Sequence, residues 1–105
     1  MDVQIDQLIG TWRHSHEEDT ANEKVFRRFD FAFPPSRGRV GYEFRSDYTC
    51  TYIGIAARDG AAKEECTWRL RGSARKEIVL TFPNGQQQVL KVVSLDRDRL
   101  VITQP

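Results

Sequence analysis

The sequence predicts an all-β domain, an eight-stranded antiparallel up-and-down barrel preceded by a short N-terminal helix. From Trp12 to Ile102 apolar and polar residues alternate, which is the period of a strand with one buried face. Turn-forming residues interrupt this alternation at intervals of about ten to twelve residues, so that eight short strands follow one another. Closure of eight such strands into a barrel removes the edges that an open sheet exposes.

Length and composition predict a single folded domain spanning residues 1–105. The chain has 105 residues, of which 39% are hydrophobic and 30% charged, as is usual for a soluble domain. A net charge of +1 gives no field that would attract nucleic acid or an anionic membrane, so neither is expected as a partner. The first residues lack a basic segment followed by an apolar run, and a cytoplasmic location is expected, although a removed leader would leave the same sequence.

The first elements follow from the change of period. A short helix is predicted over Asp2–Ile9, ended by Gly10. A strand begins next, in which His14 and His16 share one side with Trp12. After a polar loop, the second strand is predicted over Val25–Phe33, closed by two prolines. The residues expected on one face of that strand are Val25, Phe29, Phe31 and Phe33.

Turn chemistry predicts the register of the next two hairpins. A three-residue loop at 45–47, with Asp47 in the left-handed region, places Tyr48 opposite Phe44 on the inward face. A second three-residue loop at 58–60 makes Cys50 and Cys66 diagonal neighbours, roughly 7 Å apart, which is too far for a disulfide. Reduced, buried thiols are therefore expected. A register shifted by two residues would place the two cysteines opposite each other.

The last strands carry apolar residues on both faces. Ile78, Leu80 and Phe82 are expected to point inward, as are Leu90, Val92, Leu100 and Ile102. The outward positions then form an apolar stripe that nothing else in the chain is expected to cover: Val79, Val89, Val93, Leu95 and Val101. We expect a homodimer formed through this stripe.

The inward rows are unusually polar and aromatic for a small barrel. Buried polar groups require hydrogen-bond partners, so the interior is either a hydrated core or a ligand pocket. The predicted ligand-binding residues are Trp12, His14, His16, Tyr42, Tyr48, Tyr52 and Trp68. His14, His16 and Glu18 are an alternative metal or haem site, which two-residue spacing supports only weakly, and no metal or cofactor is expected. Because the sequence has no catalytic motif, a non-enzymatic protein is expected.

Four short stretches, in this order, resemble small bacterial lipocalin-like (calycin) domains: Leu8–Trp12, Phe44–Thr49, Trp68–Leu70 and Leu95–Ile102. The resemblance implies that the barrel holds a small apolar or amphipathic molecule, stacked on Tyr52 and Trp68. Tyr48 stands where these domains usually have glycine. In this family an arginine near the last strand often packs over the first tryptophan, which implies that Arg97 or Arg99 covers Trp12. The alternative function is a protein-interaction or structural module that self-associates through the outer sheet face.

Overall fold

The computed structural model describes residues 3–35, 39–55 and 61–103. A one-turn helix, α1 (Ile5–Leu8), precedes eight strands, and short 3₁₀ turns occupy His16–Glu18 and Ser73–Arg75. The strands are β1 (Gly10–His14), β2 (Glu23–Arg28), β3 (Gly41–Phe44), β4 (Thr49–Ile55), β5 (Ala61–Arg71), β6 (Glu77–Thr81), β7 (Gln87–Leu95) and β8 (Arg99–Thr103). They form a closed antiparallel barrel, which confirms the predicted fold class. Among the described residues, no helix is long and apolar enough to cross a membrane.

The ring order departs from simple succession at one place. Around the barrel the strands follow β1-β2-β8-β7-β6-β5-β4-β3 and close on β1, so β1 lies between β2 and β3. Strands β2 and β3 are therefore parallel, and the connection between them leaves β2 after Arg28. Phe29 and Phe31 lie in this connection and are exposed, because β2 ends at Arg28. The prediction that they share one face of a strand with Val25 is wrong, because neither residue belongs to β2; Phe26 is the inward residue.

The inward side chains of the strands form one core inside the barrel, and α1 closes one end. Leu8 and Trp12 are fully buried there, and the Trp12 indole N–H donates to the Leu8 carbonyl over 2.8 Å. The same end contains Arg28, whose guanidinium carbon lies 3.9 Å from the centre of the Trp12 ring. Arg28 is opposite Trp12 in the β1–β2 register, so it covers the indole in place of the expected Arg97 or Arg99.

The Arg28 guanidinium also holds three chain segments together. It donates to the carbonyls of Gln7 and Ile9 at the end of α1, and to that of Arg97 in the β7–β8 turn. Burial lowers the pKa of Arg28, although an arginine remains protonated in proteins. One cation therefore links the helix, the second strand and the last turn.

The β3–β4 hairpin has a different register from the predicted one. Phe44 is opposite Cys50, and the Arg45 amide bonds to the Thr49 carbonyl, so the loop residues are 46–48. The left-handed residue is Tyr48 (φ 67°) and not Asp47, because the Asp47 carboxylate accepts the Thr49 amide and fixes the turn. Tyr48 is 49% exposed, which corrects its predicted inward position.

Cys50 and Cys66 are directly opposite each other on β4 and β5 and form a disulfide, with 5.0 Å between their Cα atoms. The prediction of free thiols is wrong. Strand β4 continues until Ile55 is opposite Ala61, so the connection spans residues 56–60 and the register shifts by two. The loop predicted at 58–60 lies outside the described residues. Disulfides are typical of oxidising compartments, and the cytoplasmic location stays a prediction.

A β-bulge in β7 changes the predicted outer stripe. Val92 is opposite Ile102 and Leu95 is opposite Leu100. Two residues of β7 therefore separate Val92 from Leu95, where β8 has one residue between their partners. Leu95 therefore turns inward and packs against the core. Of the other predicted stripe residues, Val79 and Val101 are buried within the chain, whereas Val89 and Val93 are 38% and 42% exposed. The five residues do not form one exposed stripe.

Candidate functional site

A partly open cavity of about 570 Å³ lies inside the barrel, at the end opposite α1. The register places the Glu23 end of β2, the Gly41 end of β3 and the Thr103 end of β8 around it. Inward side chains supply most of its wall: Phe26, Tyr42, Tyr52, Gln88, Leu90 and Ile102. The rim is formed by Lys24, Val40, Val89, Lys91 and Thr103. Its size is within the usual range of small-molecule pockets.

Aromatic rings form one side of the cavity wall. The centre of the Tyr42 ring is 5.7 Å from that of Phe26 and 5.5 Å from that of Tyr52. A second ring, Phe44, stacks on Tyr42 from the core side at 5.9 Å. Because each ring is supported by another at the spacing typical of favourable aromatic pairs, the wall has a fixed shape. It presents an apolar surface with two phenol groups.

The inner polar group of the cavity is a phenol bonded to an amide. The Gln88 side-chain amide donates to the Tyr42 hydroxyl oxygen over 3.2 Å. Gln88 points inward because it is opposite the buried Leu80 in the β6–β7 register. Tyr42 is only 4% exposed, and burial raises its pKa to about 12. The phenol is therefore neutral near pH 7 and keeps its own hydrogen for donation to a ligand.

The cations of the cavity lie at its rim. Lys24 shares the inward row of β2 with Phe26 and is opposite Ile102 on β8. Its side chain is half-buried, and within residues 3–35, 39–55 and 61–103 its ammonium group has no hydrogen-bond or ion-pair partner. Lys91 is a second, exposed lysine of the rim. The described lining contains no carboxylate.

The two histidines do not form the predicted row. Strand β1 ends at His14, and His16 begins a 3₁₀ turn with its side chain half exposed. The His14 Nε2 atom lies 2.8 Å from an Asp19 carboxylate oxygen, and the other oxygen of Asp19 accepts the Val25 amide. His14 is opposite Phe26 in the β1–β2 register and packs on it, with 5.2 Å between the ring centres. Neither histidine lines the cavity.

Glu18, the third member of the alternative metal site, is bonded to Arg27 and Ser15. Arg27 donates to its two carboxylate oxygens over 2.8 and 2.6 Å, and the Ser15 hydroxyl donates over 2.7 Å. These bonds lower the pKa of Glu18 to about 2. In the described part of the chain, no cluster of three or more histidine, cysteine or acidic side chains is arranged to hold a metal ion.

Trp12, Tyr48 and Trp68 lie at the closed half of the barrel. The Trp68 indole N–H donates to the Arg45 carbonyl over 3.1 Å, so its polar atom is already bonded. The exposed Tyr48 ring packs on Trp68, with 5.0 Å between the ring centres. Of the seven predicted ligand-binding residues, the structure places Tyr42 and Tyr52 in the cavity wall and the other five outside it.

The sequence analysis missed Lys24, Phe26 and Gln88 as cavity residues. The three phenylalanines at odd positions after Arg28 set the predicted parity of β2, and this grouped Val25 with Phe29, Phe31 and Phe33 and left Phe26 out. The opposite parity places Lys24 and Phe26 inward. This row has a polar residue near the end of the barrel and an apolar residue further inside, as expected for a strand that lines an open pocket. Extension of the Leu90 row by one step toward the start of β7 would have found Gln88.

Comparison with known proteins agrees with this architecture. The family model described as "Lipocalin-like domain" matches residues 8–102, from the end of α1 to the penultimate residue of β8. Searches of curated proteins and of solved structures found no match for the chain. With a match over nearly its whole length, the chain belongs to the lipocalin-like domain family.

Proposed function

We propose that this protein is a non-enzymatic binding protein that holds a small, partly apolar molecule in the barrel cavity. The observation that carries the proposal is the cavity of about 570 Å³, whose wall combines apolar and aromatic side chains with the polar groups of Tyr42, Tyr52 and Gln88. Pockets of this composition bury most of a ligand by contact and orient it through a small number of hydrogen bonds. Tyr42 and Gln88 are the groups that would orient it.

The chemistry of the lining favours binding over catalysis. The described lining contains no histidine, carboxylate, serine or cysteine, which are the usual nucleophiles and general bases. His14 is bonded to Asp19 and is not part of the lining. Tyr42, with its pKa raised to about 12, is a hydrogen-bond donor at neutral pH and not a base.

A cavity-filling substitution tests this function. The neutral dye N-phenyl-1-naphthylamine would be titrated into the protein and followed by its fluorescence. Gln88→Trp fills the inner space from an exposed position on β7, whereas Gln87→Trp, the neighbour on the outward face, makes the same change outside the barrel. We expect saturable binding that Gln88→Trp weakens by about tenfold or more, because the ligand loses most of its buried area. Gln87→Trp should leave the affinity unchanged.

The proposal is refuted if the wild-type protein shows no saturable binding of the dye, or if Gln88→Trp and Gln87→Trp bind it equally. Native mass spectrometry of protein purified from its own source would complement the titration. An additional mass that leaves when the chain unfolds would identify the natural ligand.

Self-association through the outer sheet face is the second candidate function. It is favoured by Val89 and Val93, which are exposed on β7 and close in sequence. Sedimentation velocity at tens of micromolar should show a dimer that Val93→Glu dissociates, because a desolvated carboxylate opposes burial of the contact. A wild-type monomer at that concentration would exclude this candidate.

A further inference from the structure

We propose that the ligand is an organic anion whose charged group lies at the barrel mouth against Lys24, with its apolar body inside the cavity. This inference rests on the proposed function and specifies the ligand class of the same site. It applies to carboxylates and sulfonates alike, because a lysine ammonium is a point charge without a preferred planar partner.

The first observation is the position of Lys24. The next inward residue of β2 is Phe26, and the residue opposite Lys24 on β8 is Ile102. The Lys24 side chain is therefore flanked by apolar groups. It is half-buried, and its ammonium has no bonded partner within the described residues. A partly desolvated cation in such a place gains from any anion that binds beside it.

The second observation is that acidic side chains near this position have other partners or do not line the cavity. The Asp19 carboxylate holds His14 and the Val25 amide. Glu23 follows the opposite parity to Lys24 on β2 and has interactions of its own. Glu64, opposite Tyr52 on β5, is exposed and is not part of the lining. The charged groups of the described lining are therefore two lysines.

The orientation of the ligand follows from the distribution of polarity. The buried polar group of the cavity is the neutral phenol of Tyr42, which is only 4% exposed. An ion placed there would lose its hydration without a counter-charge, which is costly. At the rim it keeps part of its water and faces Lys24, with the exposed Lys91 beyond. The apolar part then lies on Phe26, Tyr42 and Tyr52.

The test compares three ligands of one chain length: dodecanoate, 1-dodecanol and dodecylamine. Each would displace N-phenyl-1-naphthylamine from wild type, from Lys24→Met, and from a matched control, Lys63→Met. Lys63 is exposed on β5 and opposite Ile53, so its loss makes the same charge change outside the cavity. Wild type should bind dodecanoate about two- to fivefold more tightly than dodecanol, the range of a partly exposed ion pair, and dodecylamine most weakly.

Lys24→Met should abolish the preference for dodecanoate over dodecanol, and saturable binding of the neutral dye by the variant shows that it is folded. Lys63→Met should keep the preference. Equal binding of dodecanoate and dodecanol to wild type, or a preference that survives Lys24→Met, overturns this inference while the proposed function stands. Failure of wild type to bind the dye and all three compounds overturns both.

Discussion

Substitution of Arg28 tests how the closed end of the barrel is held. In Arg28→Met the side chain keeps much of its length but loses the guanidinium, which donates to the carbonyls of Gln7, Ile9 and Arg97 and lies 3.9 Å over Trp12. Arg28→Lys keeps the charge and removes the planar fork, so that one ammonium must replace three directed bonds. The two variants separate charge from geometry.

The expected loss follows from these contacts. Hydrogen bonds to a charged donor contribute about 1.5–3 kcal/mol each, but the bond to Arg97 is exposed, and water would satisfy that carbonyl in the variant. The loss therefore comes from the two part-buried bonds and from the cation–π contact, which contributes about 1 kcal/mol. Ordering the arginine side chain offsets about 2 kcal/mol of this gain. We expect Arg28→Met to lower the free energy of unfolding by about 3 kcal/mol and Arg28→Lys by about 2 kcal/mol.

Urea unfolding followed by tryptophan fluorescence measures both losses, provided that the m-value is unchanged. The control is Arg71→Met, which removes an exposed ion pair with Glu77 and should cost less than about 1 kcal/mol. If Arg28→Met is no more destabilising than Arg71→Met, then the bonds of Arg28 do not hold α1 on the barrel. A loss in Arg28→Lys equal to that in Arg28→Met would instead show that the fork geometry is the whole contribution.

Three further predictions concern other parts of the barrel. Because the pKa of Tyr42 is raised from 10.0 to about 12, the unfolded chain loses this proton first, and stability should fall as pH rises from 10 to 12 by up to about 1.4 kcal/mol per pH unit. Urea midpoints across this range should fall less steeply for Tyr42→Phe, and equal slopes would contradict the burial of the phenol. Replacement of both Cys50 and Cys66 by serine should cost about 3 kcal/mol, as expected for a loop of this length, and a loss below 1 kcal/mol would argue against the disulfide. In Gly41→Ala the new Cβ would overlap the Trp12 carbonyl oxygen, so calorimetry should show a loss of about 3 kcal/mol, and an unchanged Tm would refute this close approach of β1 and β3.

The strand predictions succeeded where one face is buried and failed where several registers satisfy the same alternation. Cys50 and Cys66 illustrate the limit. A shift by two residues leaves every inward side chain inward, so the pattern of polarity does not distinguish a diagonal pair from a direct one. Packing of both strands against the rest of the barrel selects the direct pair. The ligand site depends on the same choice, because register decides which rings reach the cavity.

Two local irregularities moved single residues from their predicted positions. The bulge in β7 inserts one residue, so that Leu95 packs inward although Val93, two residues earlier, is exposed. At Tyr48, the local bonds of Asp47 place the tyrosine in the turn and not in the strand. Both events depend on a small number of hydrogen bonds, which hydrophobic periodicity does not encode.

The sequence by itself determined an antiparallel barrel of eight short strands with a helix at one end, because alternation and turn residues act locally and recur along the whole chain. Only the tertiary structure decided that β1 lies between β2 and β3 and that Arg28 covers Trp12. It also decided which residues surround the cavity, among them Lys24, Phe26 and Gln88. These features bring together residues far apart in the chain. Their energies depend on closure of the whole barrel, which no single stretch of sequence contains.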